Sequence, residues 1–315
     1  MTDILKDKVA IVTGGGRGIG RCVAMLMASE GASVVVVDPG VNVDGTGSDQ
    51  SVADHVVREI TQAGGRAVAS HESVVTMEAG ERIIGTAVDT FGHLDIVATC
   101  HGILRDRMIF NMTEQEWDEV ILVHLKGNFT LVKHACILFR QQRSGRIITF
   151  TSESGLIGNS GQANYGAAKS GIAGFTKVVA RDMGRYGVTA NSIAPRAFTR
   201  MVADVPEEAG KLRAQRGIAG MPGGEQLVGA DPEDIAPFVV YLASEYAASV
   251  NGQTFLVYGG EVAIMSQPRP VRSIFNDDGG TWPVEKLAPL AREYLTKDLS
   301  NPAPPQPPDG KGGRG

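Results

Sequence analysis

Cysteine is scarce in this chain. Its three residues, Cys22, Cys100 and Cys136, stand far apart in a sequence of 315. They make no CxxC-like cluster, which argues against a thiolate metal site and a disulfide scaffold and points to a reducing compartment. Long apolar runs are missing as well: none approaches the roughly 20 residues that cross a bilayer. Nor is there a basic surplus. A formal net charge of −5 gives no support for nucleic acid or an anionic membrane surface as a partner. The opening "MTDILKDK" is charged and unlike a secretory or transit segment, so a cytoplasmic location is the expectation.

What the sequence has is alternation. Short apolar runs rich in β-branched residues occur at 8–14, 32–38, 66–70, 94–99, 146–151, 188–195 and 253–260, separated by longer segments of helical period. Near-continuous apolarity fits strands buried on both faces, and helices between them predict a parallel sheet. The expected α/β domain covers 1–265, with seven strands in a doubly wound sheet and helices on both faces. Residues 39–50, "PGVNVDGTGSDQ", make a longer loop than a strand-to-helix link needs. Residues 266–299 predict an extension with one helix, "WPVEKLAPLAREYL", whose Trp282, Leu287 and Leu290 need burial on this subunit's or a partner subunit's pocket. The last stretch, 300–315, has the Pro- and Gly-rich composition of a disordered tail.

The first strand runs into "TGGGRGIG" (13–20), which opens the first helix. Gly14, Gly18 and Gly20 leave no Cβ where the backbone turns and approaches a pyrophosphate, and the helix N-terminus supplies N–H groups. Arg17 and Ile19 lie within the same loop. Strand, glycine loop and helix in this order make the sheet Rossmann-type. Asp38 ends the second strand 18 residues after Gly20. A carboxylate there accepts from the adenosine ribose hydroxyls and repels a 2′-phosphate, which predicts NAD over NADP. Arg17 is the one basic residue in the loop that points the other way.

A second constellation lies further on. Tyr165 and Lys169 in "YGAAK" are four apart, so on a helix they share a face. Ser152, in "TSESG", stands thirteen residues before Tyr165 where the run "RIITFT" ends. Tyr-xxx-Lys alone is a weak signal; the company of the glycine loop gives it weight.

Together, "TGGGRGIG", "TSESG", "YGAAK" and "NSIAP" resemble the short-chain dehydrogenase/reductase family in order and spacing, over about 1–265. Within it, "VVVDPGVNVDGTG", "HGILRDRM", "VHLKGNF" and "GNSGQANYGAAK" are most similar to the (3R)-hydroxyacyl-CoA dehydrogenase unit of the multifunctional enzymes of type 2. The resemblance implies that Ser152 hydrogen-bonds the substrate oxygen, Tyr165 is the acid/base and Lys169 holds the nicotinamide ribose. It also implies adenine contacts from Ser73 and Val74, cofactor contacts from Cys100, Gly102 and Pro195, and a homodimer or homotetramer.

There are departures from the family pattern. Where an Asn-Asn-Ala-Gly turn is usual, the chain reads Thr99-Cys100-His101-Gly102, so two bracing amides are replaced. His124 stands where a catalytic-network asparagine is common, either holding the same relay water or packed as a helix histidine. Arg196 follows Pro195 in place of glycine, reaching an anionic substrate or solvent. The segment 196–225 mixes Met201, Val202, Val205 and Met221 with arginines, as expected of a substrate lid, and Arg105 and Arg107 lie near the same mouth. The leading expectation is an NAD-dependent oxidation of a secondary alcohol, a 3-hydroxyacyl-CoA with a bulky or steroid-derived acyl part included. The alternatives are a hydroxysteroid or other hydrophobic-alcohol dehydrogenase without CoA, and a catalytically silent NAD-binding regulator. Asp38 argues against an NADPH-dependent 3-oxoacyl carrier-protein reductase.

Overall fold

All seven apolar runs form strands: β1 Val9–Thr13, β2 Ser33–Val37, β3 Arg66–Ser70, β4 Ile96–Thr99, β5 Gly145–Phe150, β6 Val188–Pro195 and β7 Thr254–Tyr258. These spans come from a computed structural model, which describes residues 3–197, 230–277 and 279–303. The seven are parallel, in the order β3-β2-β1-β4-β5-β6-β7. β1, β2 and β4 are buried at every position, as unbroken Val/Ile runs require of strands covered on both faces.

The sheet has one strand more than the sequence reading gave it. β8, Glu261–Ile264, pairs antiparallel with β7 at the edge. Gly259 and Gly260 make the two-residue turn, Gly259 with φ +47°. A Gly-Gly pair between extended runs is a hairpin signal, but "EVAI" is too short and too exposed to show a buried face.

Helices cover the two faces. On one side lie α1 (Gly18–Ser29), α2 (Ser51–Gln62) and α8 (Ala236–Ala243), whose Val23, Met27, Val56, Ile60 and Val239 pack on alternate residues of the strands. On the other lie α3 (Met77–Phe91), α5 (Gly127–Gln142) and α7 (Ala163–Met183), with Ile83, Leu131, Phe139 and Val179 turned inward. Each fully buried Ile, Leu or Phe contributes about 1.5–3 kcal/mol. α4 (Glu114–Ile121) begins with a capping box made by Thr113 and Glu116, and passes into α5 through a π turn at Leu122–Lys126. Among the described residues, no helix is long and apolar enough to cross a membrane.

The winding reverses between β1 and β4, which opens a crevice at the carboxyl ends of the strands. Thr13 pairs with both Val37 and Thr99, so Gly14, Asp38 and Cys100 leave the sheet side by side. The lid segment expected over Met201, Val202, Val205 and Met221 lies outside the described residues, as does the tail from 304. The predicted C-terminal helix is present as α9, Val284–Leu290, continued by a π turn at Ala291–Leu295. Trp282, Leu287 and Leu290 are half-buried. Among the described residues, none beyond Ala197 lines the crevice.

Candidate active site

A cavity of about 630 Å³ occupies the crevice, and every residue expected at a site reaches its wall. At one end the β1–α1 loop makes a cradle that fits a dinucleotide. Gly14 takes φ +62°, and a Cβ on Gly20 would lie 2.0 Å from the carbonyl oxygen of Gly14. α1 begins at Gly18 with no side chain capping its first N–H groups, which leaves them for an anion. Arg17 and Ile19 flank the loop; the Arg17 guanidinium donates to the carbonyl of Val41 at 3.2 Å.

Asp38 stands at the end of β2 on the cavity wall. Its carboxylate accepts from the amides of Gly16 at 3.0 Å and Gly40 at 2.8 Å. The long loop that follows bridges the cavity: Val41 and Gly45 line it, and the amide of Leu104 donates to the carbonyl of Val43 at 2.9 Å. Ser73 and Val74 line the cavity too, the Val74 carbonyl accepting from Thr130. Cys100, Gly102 and Pro195 complete the floor. Burial pushes the Cys100 thiol far above its usual range, so it stays protonated at neutral pH.

The other end holds Ser152, Tyr165 and Lys169. Ser152 leaves β5 and caps α6 (Glu153–Leu156), its Oγ accepting from the Ser154 amide at 3.2 Å. Tyr165 and Lys169 lie one turn apart on α7, with Lys169 Nζ 5.5 Å from the centre of the tyrosine ring. Nζ donates to the carbonyl of Phe150 at 2.7 Å. Ser152 and Tyr165 both line this end of the cavity. Burial pushes the phenol up to about 12, and the Asp106 carboxylate adds to the rise while Ser152 opposes it. Burial pushes the Lys169 ammonium down to about 7. Burial thus drives apart two groups whose ordinary values nearly coincide, the kind of perturbation that gathers in functional clefts.

The two histidines that depart from the family pattern are both buried here. His124 sits in the π turn, its ring edge-on to Tyr165 with centroids 5.2 Å apart. Nε2 lies 2.8 Å from the carbonyl and 3.1 Å from the amide of Ile103, and Nδ1 has no protein partner. His101 Nδ1 lies 2.6 Å from Thr13 Oγ1. Burial first, then the Lys169 charge, pushes His101 down to about 3 and His124 well below its usual range, so both rings are neutral.

Several partners left no local trace in the sequence. Thr99 donates to Asn128 Oδ1 at 2.7 Å, and Asn128 Nδ2 to the His124 carbonyl at 2.8 Å. Gln162 donates to Asp106 at 2.8 Å beside Tyr165. The arginines expected near the mouth are each engaged: Arg105 with Glu119 and Arg107 with Glu116, both at 2.7 Å, and Arg196 with Glu153; of the three, Arg196 lines the cavity. Arg196 is therefore held away from solvent by Glu153 while still lining the cavity.

A sheet that reverses its winding over a glycine cradle, with an ionisable trio beside it, defines a dinucleotide-binding oxidoreductase. Residues 8–210 match the short chain dehydrogenase family, and the chain belongs to that family. It is 40% identical over 302 residues to the hydroxyacyl-CoA dehydrogenase ChsB1 of Mycobacterium tuberculosis, covering 93% of this chain and 90% of that one. It is also 40% identical to the mouse peroxisomal multifunctional enzyme type 2, over 95% of this chain and 38% of that protein. A crystal structure of a short chain dehydrogenase from Mycobacterium avium superposes with a TM-score of 0.78 at 40% identity, covering 97% of this chain and 98% of that chain.

Proposed function

We propose that the protein is an NAD-dependent dehydrogenase that interconverts a secondary alcohol and a ketone, with 3-hydroxyacyl-CoA thioesters as its substrate class. The observation that carries this reading is the meeting of Ser152, Tyr165 and Lys169 at the far end of a cavity whose other end is the glycine cradle. The nicotinamide supplies hydride chemistry when bound. The chain supplies placement and the proton. Tyr165 Oη takes the hydroxyl proton in oxidation and returns it in reduction. Ser152 donates to the oxygen whose charge changes. Lys169 favours the phenolate by its charge and holds the ribose; His124, edge-on to Tyr165, keeps that wall of the site. Asp38 supports NAD as the dinucleotide, and the resemblance to ChsB1 over nearly its whole length supports the thioester class.

One observation favours a second reading, a dehydrogenase of hydroxysteroids or other hydrophobic alcohols without CoA. Arg105, Arg107 and Arg196 are each matched by a glutamate and so are poor receptors for CoA phosphates. NADH formation from NAD with (3R)-hydroxyacyl-CoA thioesters, beside free steroid alcohols and an NADP control, separates the readings. Turnover of the thioesters is expected; activity on steroid alcohols alone would move the assignment to the second reading. Tyr165→Phe should lower turnover by about 10²–10⁴-fold, and an unchanged rate would remove the proposed acid/base.

Assembly as a homodimer or homotetramer belongs to the same proposal. Apolar side chains left exposed on α4, α5 and α7, among them Trp117, Phe129, Ile137 and Val178, support it. A cytoplasmic setting is supported by the three thiols, all free.

A further inference from the structure

Glu153 follows Ser152 directly, yet its side chain is turned inward and is only 5% exposed. A carboxylate taken out of water is costly unless a matched cation meets it. Arg196, on the first residue beyond β6, supplies that cation as a two-pronged fork: Nε donates to Oε2 at 2.5 Å and Nη2 to Oε1 at 2.6 Å. The guanidinium also lies over the ring of Tyr258 at 4.8 Å, and Tyr258 Oη donates to Glu261 at 2.7 Å. The backbone is tied at the same places. Thr151 donates to the carbonyl of Ile193 at 2.8 Å, and Arg196 to that of Val257 at 2.9 Å. A continuous set of contacts thus runs from the serine turn, across the end of β6, to the β7–β8 hairpin.

Two consequences follow from the chemistry. The fork geometry fixes direction as well as distance, since only a planar guanidinium can meet both carboxylate oxygens at once. It also leaves the Arg196 charge on the cavity wall matched by the buried Glu153 behind it. We propose that Glu153 and Arg196 are a positioning pair: they hold the Ser152 turn against the end of β6 so that the serine hydroxyl meets the substrate oxygen, and Arg196 does not bind an anionic part of the substrate. The inference rests on the reading of Ser152 as the donor to that oxygen.

The full-length protein carries the test, through Glu153→Gln, Arg196→Lys, Arg196→Met and the double variant Glu153→Gln/Arg196→Met. Rates are measured on a CoA thioester and on the matching N-acetylcysteamine thioester, which lacks the phosphates. NADH affinity and amide exchange at Ser154, Gly155 and Leu156 are measured beside them. Glu153→Gln and Arg196→Met are each expected to lower kcat about tenfold to a hundredfold, with KM for both thioesters and NADH affinity unchanged and faster exchange in the turn. The double variant should be no worse than the poorer single. Arg196→Lys should recover only part of the rate, because a point charge cannot fork. In a Ser152→Ala background the Glu153→Gln loss should vanish, which a merely structural role would not produce.

The proposal is overturned if Arg196→Met raises KM for the CoA thioester alone while Glu153→Gln lowers it, because Arg196 is then an anion receptor. It is equally overturned if the single variants keep wild-type kcat and exchange. Should Arg196→Met fail to fold, Glu153→Gln and Arg196→Lys decide by the same criteria. If the wild type turns over neither thioester, the substrate reading has failed, and exchange in the turn still decides whether the pair holds it.

Discussion

His101 Nδ1 and Thr13 Oγ1 are 2.6 Å apart and join the ends of two adjacent strands, β4 and β1, at the floor of the cofactor crevice. An imidazole therefore does the bracing that the family usually gives to an amide. His101→Asn should keep a partner for Thr13 and cost little, whereas His101→Ala leaves a buried hydroxyl unpaired and should destabilise by about 1–3 kcal/mol. Urea unfolding at neutral pH measures both. An alanine variant as stable as the wild type would show that the contact braces nothing. The ring also carries a pH signature. Its folded value of about 3 lies below the 6.5 of the free side chain, so between those values the unfolded chain holds a proton that the folded ring refuses. Stability should fall as pH drops through that window, and His101→Asn should flatten the fall.

Asp38 holds two backbone amides with its two carboxylate oxygens, so its orientation is set before any ribose arrives. Asp38→Asn gives up one of the two amide contacts and removes the charge that, on the proposed reading, repels a 2′-phosphate. The ratio of kcat/KM for NAD over NADP should shrink by roughly tenfold to a hundredfold. If the variant keeps the wild-type ratio, discrimination lies elsewhere, with Arg17 the first place to look.

Strands and cradle were legible in the sequence because both are local. An unbroken Val/Ile run is buried on two faces wherever it goes, and a glycine loop between strand and helix needs no distant partner to be recognised. The trio was legible for a similar reason: Tyr165 and Lys169 are one helical turn apart, and Ser152 ends a strand. What stayed hidden joins distant parts of the chain. Glu153 and Arg196 are 43 residues apart, Thr99 and Asn128 are 29 apart, and nothing in either neighbourhood marks the other. His124 could be read as a relay group or a packed ring, and the structure shows why both descriptions have a basis: it is buried, yet it faces Tyr165. β8 escaped because an exposed edge strand of four residues carries no burial pattern.

With Tyr165 as the proposed acid/base, alcohol oxidation requires its phenol to have lost its proton, so kcat/KM in that direction should rise with pH. An ammonium favours a nearby phenolate, and a phenolate favours the ammonium, so Tyr165 and Lys169 titrate as a pair. The midpoint of the rising limb is expected between the lysine's value of about 7 and the phenol's of about 12. Lys169→Met removes the positive partner and should move the limb to higher pH, with a lower rate at neutral pH. A flat profile, or a limb that Lys169→Met leaves in place, would take Tyr165 out of the proton-transfer step.

The same lysine carries a stability cost that can be read without any substrate. Its folded value of about 7 is below the 10.5 of an exposed lysine, with burial as the cause. Between those values the unfolded chain binds the proton and the folded chain does not, so stability should rise with pH across that window. Below about 7 the folded protein must hold a buried ammonium, and the cost is present in full. Lys169→Met keeps the apolar stem and discards the charge, at the loss of one hydrogen bond to Phe150. In the absence of dinucleotide, the variant should be more stable than the wild type below about pH 7, and the gain should shrink toward pH 10.5. Denaturant titrations across that range check it. A variant that is less stable throughout would mean that the hydrogen bond to Phe150 outweighs the desolvation of the ammonium, and that this site exacts no stability for its chemistry.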